Sequence, residues 1–172
     1  MGFLVEWTQI GDYFYLLNDS LSQGTKTFAG ALNLCRGLSD DESDVKMFEP
    51  RTLEEQSAVL ESIAPWIKSL GTPPKFWINA ITSGDGHIYL SDSVKVPDTF
   101  WRPGNRFNPF VMLDSSDGKW EDVDLNNMGY TICQVSTKII NPNCEDVEGM
   151  GECHTLIHFI SKSNITLYQM IS

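Results

Sequence analysis

Basic charge is scarce in this chain: 12 Lys and Arg stand against 23 Asp and Glu, for a formal net charge of -11. The basic residues are scattered singly and form no patch, which argues against a nucleic-acid partner and against anionic lipid headgroups. Long hydrophobic runs are missing too. No segment reaches the roughly 18 apolar residues that a membrane-spanning helix needs, so membrane insertion is not expected. Cysteine is limited to Cys35, Cys133, Cys144 and Cys153, with no C-x-x-C pair, which argues against a zinc ribbon. No G-x-S-x-G, H-E-x-x-H, P-loop or G-x-G-x-x-G pattern occurs. No residue set supplies a nucleophile, a base and an orienting group, so the chain is not expected to be an enzyme. The opening Met1-Gly2-Phe3-Leu4-Val5 runs directly into Glu6 without a basic stretch or a cleavage site, and does not read as a complete secretory signal.

What is present fits one globular domain. A chain of 172 residues with 41% hydrophobic content can build a single core that buries roughly 70% of the unfolded surface. The even cysteine count and two glycosylation acceptor patterns, at Asn18 and at Asn164, favour an oxidising, extracellular setting for a secreted glycoprotein.

The pattern predicts strands and helices in a mixed order. Residues 7–17 are aromatic and aliphatic and read as a strand closed by an Asn18-Asp19-Ser20 turn. Phe28, Ala31, Leu32 and Cys35 recur at helical spacing, and Gly37 follows as a stop. Thr52 and Glu55 have the capping-box spacing, and Leu53, Leu60, Ile63 and Ile67 extend an apolar stripe that Pro65 should kink or end. Residues 76–80, 111–113 and 130–134 are short strand candidates. Between the first two lies a long segment punctuated by Gly84, Gly86, Pro97, Pro103, Gly104 and Pro109, and such irregular segments inside compact domains are usually functional. From residue 141 onward a tail follows. Its Cys144 and Cys153 would close a small loop worth roughly 2.5 to 3 kcal/mol on the chain-entropy model, and its runs at 155–160 and 165–171 suit a hairpin.

A further set of motifs stands in fixed order. Phe28-Ala29-Gly30-Ala31-Leu32-Asn33-Leu34-Cys35 is followed by Glu54-Glu55, Trp77-Ile78-Asn79-Ala80 and Trp101-Arg102-Pro103-Gly104, then by Gly118-Lys119-Trp120-Glu121-Asp122 and Tyr130-Thr131-Ile132-Cys133. Together they resemble the C-type lectin-like domain family over residues 7–134. The resemblance implies an α+β domain with a pair of helices, small antiparallel sheets and a long loop carrying the ligand surface. On that basis residues 1–136 are the domain, and residues 137–172 are a C-terminal extension with the small disulfide loop and hairpin. The resemblance also implies a Cys35–Cys133 disulfide, worth roughly 4 to 5 kcal/mol for a loop of about 100 residues. The family's second disulfide is missing; its positions fall at Phe110 and Leu125, which are expected to bury as an apolar pair. Trp101 and Trp120 match positions that pack the family's core, and Phe107 is the better candidate for an exposed contact.

The resemblance raises the question of calcium. Sugar-binding members hold the ion with a Glu-Pro-Asn or Gln-Pro-Asp triplet and with an Asn and Asp after the tryptophan. Here the triplet position reads Asn105-Arg106-Phe107, and the second half reads Glu121-Asp122. Calcium needs six to eight oxygen ligands, and a guanidinium at Arg106 repels a divalent ion. Glu121 and Asp122 are therefore expected to be acids without partners, with no metal and no other cofactor. Residues 114–118 resemble the start of a calcium loop, but Leu125 stands where the closing Glu is needed, so turn chemistry explains them better. His154 and His158 share a face but lack the further ligands of a zinc site, and Cys35 with His87 is a remote nucleophile and base.

The resulting expectation is a secreted recognition module that binds protein without calcium. Its contact surface is the long loop, with Asn105, Arg106, Phe107, Glu121 and Asp122 as candidates. One rival is a carbohydrate-binding lectin with a rebuilt site. Another is a structural component of an extracellular matrix or filament that assembles with itself through the C-terminal hairpin.

Overall fold

The computed structural model describes residues 7–39, 43–83, 86–104 and 107–136. Asn105, Arg106 and the whole of residues 137–172, with Cys144, Cys153, His154, His158, Asn164 and the expected hairpin, lie outside the described residues.

The first aromatic run forms a hairpin rather than one strand, with β1 (Thr8–Ile10) paired to β2 (Tyr13–Leu16) and Ile10 opposite Tyr13. Gly11 accounts for the difference. It takes φ +59° in the first position of a two-residue turn, a conformation glycine adopts without steric cost. The expected turn at 18–20 is likewise a short helix, α1 (Asn18–Ser22). Leu17 and Leu21, four residues apart, are both buried, and the Ser20 hydroxyl turns inward to donate to the Leu16 carbonyl. Burial of two leucines outweighs the turn preference of Asn, Asp and Ser.

α2 (Phe28–Arg36) forms where the apolar stripe predicts it, with the Thr27 hydroxyl accepting the Gly30 N–H at 3.3 Å as the cap. Ala31 and Cys35 face inward. A two-residue strand not expected from the pattern, β3 (Lys46–Met47), follows. The second helical stretch divides into α3 (Leu53–Ser62) and α4 (Ala64–Ser69), and Pro65 lies in the first turn of α4, where a missing N–H costs nothing. Thr52 caps α3 by accepting the Glu55 N–H at 3.1 Å. The Glu55 carboxylate does not return to Thr52, however. It accepts the Arg51 N–H at 2.9 Å and the Tyr15 hydroxyl at 2.6 Å, which ties the helix to β2. Leu53 is exposed and leaves the expected stripe, while Gln56, Val59 and Ile63 are buried.

The remaining strands are β4 (Lys75–Thr82), β5 (Ile88–Leu90), β6 (Phe110–Asp114), β7 (Lys119–Val123) and β8 (Cys133–Ser136). They complete two antiparallel four-stranded sheets, ordered β1-β2-β8-β3 and β5-β4-β6-β7. β8 begins later than the 130–134 pattern predicts because residues 130–132 join the two sheets instead. Tyr130 donates to Lys75 O at 2.8 Å and accepts from Trp77 N at 2.9 Å, while Ile132 O accepts from Phe48 N at 2.9 Å. The Cys35–Cys133 disulfide then fixes α2 to β8, with Cα atoms 5.3 Å apart.

The long segment after β4 is more ordered than its Gly and Pro content predicts. It supplies β5 and a 3-10 turn (Asp98–Phe100), and it also covers the outer strands of the second sheet. Leu90 N donates to Val94 O and Val96 N to Ile88 O along β5, both at 2.9 Å, and Arg102 N donates to Trp120 O at 3.1 Å along β7. Trp101 and Trp120 are buried, their rings edge to face at 6.2 Å.

The apolar pair expected in place of the second disulfide does not form. Phe110 lies opposite Val123 and packs on Phe28 of α2 at a ring separation of 4.4 Å, whereas Leu125 is 60% exposed. The α2 aromatic supplies what Leu125 was expected to supply.

Candidate functional site

The long segment returns to the second sheet along the β6–β7 hairpin, and that hairpin is first fixed from below. Gln56, buried on α3, accepts the Trp120 indole N–H at 2.6 Å and donates its amide to Gly118 O at 2.8 Å. One helix residue therefore sets both the tryptophan and the turn. The turn itself is built by short-range chemistry: Asp114 Oδ1 accepts the Ser116 N–H and hydroxyl, Asp117 Oδ1 accepts the Lys119 N–H, and Gly118 adopts φ +67°. Residues 114–118 thus carry out turn chemistry, as their pattern predicts.

Arg102 is the centre of the charged groups above this hairpin. Its Nη2 donates to Asp114 at 2.9 Å, its Nε to Asp117 at 2.9 Å and its Nη1 to Glu121 at 3.0 Å. Lys75 adds a contact to Glu121 and lies 3.9 Å from Asp114. Partial burial pushes the Asp114 carboxyl up, but the Ser116 donors and the Arg102 guanidinium outweigh it and hold it below the usual carboxylate range. Arg102 and the Lys119 N–H hold Asp117 low as well. Farther along the loop, Lys119 Nζ donates to Thr99 O at 2.9 Å. Asp122 accepts two successive backbone N–H groups on one oxygen, from Phe107 at 2.9 Å and Asn108 at 2.7 Å.

Around these polar contacts lies an apolar row. Cross-strand register places Tyr89, Ile81, Phe110 and Val123 side by side across all four strands of the second sheet. Val123 is buried and Phe110 half-buried, but Ile81 is 58% exposed. Phe107, tied to the neighbouring Asp122, is 83% exposed. Leu125, also exposed, follows two residues past the end of β7.

Similarity to solved structures identifies the architecture. The C-type lectin CEL-I from Cucumaria echinata matches at a TM-score of 0.63 and 18% identity, covering 77% of this chain and 96% of its own. The fold is that of the C-type lectin-like domain. Human lithostathine matches at a TM-score of 0.57 and 22% identity over 76% of this chain and 96% of its own. The C-type lectin domain of murine dendritic cell inhibitory receptor 2, solved in complex with N-glycan, matches at 0.58 and 15% identity over 78% and 99%. No protein-family model matches the sequence, and neither does any curated protein.

Placed in the C-type lectin-like fold, the expected contact residues divide. Phe107 projects into solvent, whereas Glu121 and Asp122 are not the partnerless acids the sequence predicts. Lys75 and Arg102, 46 and 19 residues away, hold Glu121, and the loop backbone holds Asp122. Chain separation hides these partners from local pattern. Among the described residues, both acids expected at a calcium site already have partners inside the protein, Glu121 in Lys75 and Arg102 and Asp122 in two backbone N–H groups. Among the described residues no group of three or more His, Cys, Asp or Glu could hold a metal ion. Cys35 is in its disulfide and is no nucleophile. Asn18, the first residue of α1, is exposed. Sequence reading missed Gln56 and Arg102. The one visible signal was the trio of acids at 114, 117 and 121 downstream of a Trp-Arg pair.

Proposed function

We propose that this domain is an extracellular recognition module that binds a protein ligand through the long-loop end of its second sheet, without calcium. The observation that carries the proposal is Phe107, a phenylalanine 83% exposed on a backbone held in place by Asp122, with Ile81 and Leu125 exposed at the same end of the sheet. An exposed aromatic on a fixed backbone is a contact residue in waiting, since burying such a side chain contributes roughly 1.5 to 3 kcal/mol. Exposed Asp124 precedes Leu125 on a chain of net charge -11, so the fitting partner presents an apolar group beside basic ones. The Cys35–Cys133 disulfide supports an oxidising, secreted location, and exposed Asn18 is available for glycosylation there. No catalytic role is assigned.

Calcium independence is tested by melting the protein with calcium and with EDTA. An ion at about 100 times its Kd would add about 2.7 kcal/mol, so equal melting temperatures are expected, and a large drop in EDTA overturns this part. Carbohydrate binding is the second reading, because Phe107 also offers a face for a sugar ring. A glycan array probed with and without calcium separates the two: silence in both arms supports the protein reading, a calcium-independent signal supports the carbohydrate reading, and a calcium-dependent signal refutes metal independence.

A further inference from the structure

The structure assigns Asp122 the role of a positioning residue for the ligand surface: its carboxylate holds the backbone at residues 107 and 108 against β7 and so fixes where Phe107 projects. This rests on reading the long-loop end as the contact surface. A side chain 83% exposed gains almost no order from its own packing, so whatever fixes Phe107 must act on its backbone. Two attachments do so. On one side Asp122 Oδ2 accepts both N–H groups, at 2.9 and 2.7 Å; on the other, Thr82 N donates to Pro109 O at 3.1 Å. The Thr82 contact belongs to the β4 backbone and survives any side-chain change, whereas the Asp122 contact belongs to one carboxylate. Charge suits it to the task, since an ionised oxygen accepting successive amides makes stronger bonds than a neutral one. Asp122 is itself held in register, because its strand partner Val111 and its neighbour Trp120 are both buried. The arrangement also gives the carboxylate a use within the protein: amide N–H groups fill it, and the loop needs no ion to gather it.

The test uses hydrogen exchange of the full chain in EDTA, with no ligand, comparing wild type with Asp122→Ala and Asp122→Asn. Exchange at the Phe107 and Asn108 amides is expected to accelerate about tenfold or more in Asp122→Ala and by less in Asp122→Asn, whose carbonyl oxygen still accepts. Core amides of β4 and β6 should keep their wild-type rates in both. Unchanged protection at 107 and 108 in Asp122→Ala overturns the assignment, as does wild-type exchange there at the unprotected rate. If Asp122→Ala fails to fold, Asp122→Asn decides alone, and wild-type rates at 107 and 108 in it overturn the assignment. Because no ligand is present, the result stands apart from whether the surface binds protein or sugar.

Discussion

Replacing Gln56 with Leu should be among the more costly single changes in the domain. The side chain is buried and makes both of its bonds inside the protein, to the Trp120 indole at 2.6 Å and to Gly118 O at 2.8 Å. Leucine has a similar volume, so the packing term is small. What remains is an indole N–H in a fully buried tryptophan and a turn carbonyl, each without its partner. Leaving a buried polar group unsatisfied costs about 1 to 3 kcal/mol, so Gln56→Leu should lose about 2 to 5 kcal/mol. For a domain of this size that corresponds to roughly 8 to 20 °C in melting temperature. Denaturant unfolding followed by tryptophan fluorescence measures it. A double-mutant cycle isolates the cause: with Trp120→Phe there is no indole N–H to strand, so Gln56→Leu should then cost at least about 1 kcal/mol less. A loss below about 1 kcal/mol, or strictly additive effects, would refute the reasoning.

Breaking the Cys35–Cys133 crosslink by replacing both residues with Ala should cost roughly 4 to 5 kcal/mol, because it releases a constraint across 98 residues of chain; chemical denaturation of the two forms checks this. Stability should pass through a maximum on the acid side of neutral. Burial raises Glu49, whose carboxylate accepts from Asn79 and from the Ser91 N–H, so its unfavourable charge is relieved as pH falls toward its unfolded value and stability rises. Asp92, held low first by Arg51, and Asp114 and Asp117, held low with Arg102, act in the opposite sense. Their contribution is present above about pH 4 and is lost as pH falls through their depressed values. Glu49→Gln should flatten the rise that appears as pH falls toward the ordinary Glu range and leave the acid limb intact, which a pH series of urea melts would show. Gly129→Ala should cost about 1 to 3 kcal/mol, since its Cβ would lie 2.1 Å from the Met112 terminal methyl and 3.3 Å from both Lys75 O and Trp77 Cδ1. Trimming Met112 in the same protein should recover part of that loss.

The elements that followed from sequence are those set by local rules. Thr27 and Thr52 cap their helices, Pro65 divides the second helical stretch, and the tryptophans of the ordered motifs are buried. Local signals were outweighed by other local ones near the start of the chain, and farther on the pattern failed where distant contacts decide. One positive-φ glycine, Gly11, turns a strand into a hairpin, and Leu17 with Leu21 pulls a turn into a helix. The site shows the same division. The exposure of Phe107 follows from its place in a loop. The partners of Glu121 and Asp122 arrive from β4 and from the loop itself, and nothing beside them in the chain announces an arginine 19 residues upstream. Leu125 looked like a buried replacement for a cysteine because apolar character was the only property visible. In three dimensions Phe28, from a helix nearly a hundred residues earlier, takes that place against Phe110.

The cover that the long segment lays along the second sheet has a consequence for how freely this surface can change. Residues 94–96 occupy the outer side of β5, and Arg102 occupies part of the outer side of β7, so the backbone groups there are not offered to a neighbouring chain. A substitution at Phe107 or Leu125 changes the proposed contact surface without uncovering a strand. One that unseats residues 94–96 or Arg102 would open an edge to pairing with another copy. The long segment therefore combines Phe107, a position of the proposed contact surface, with positions that cover strand edges, and a library built to vary the proposed surface should leave the second group untouched.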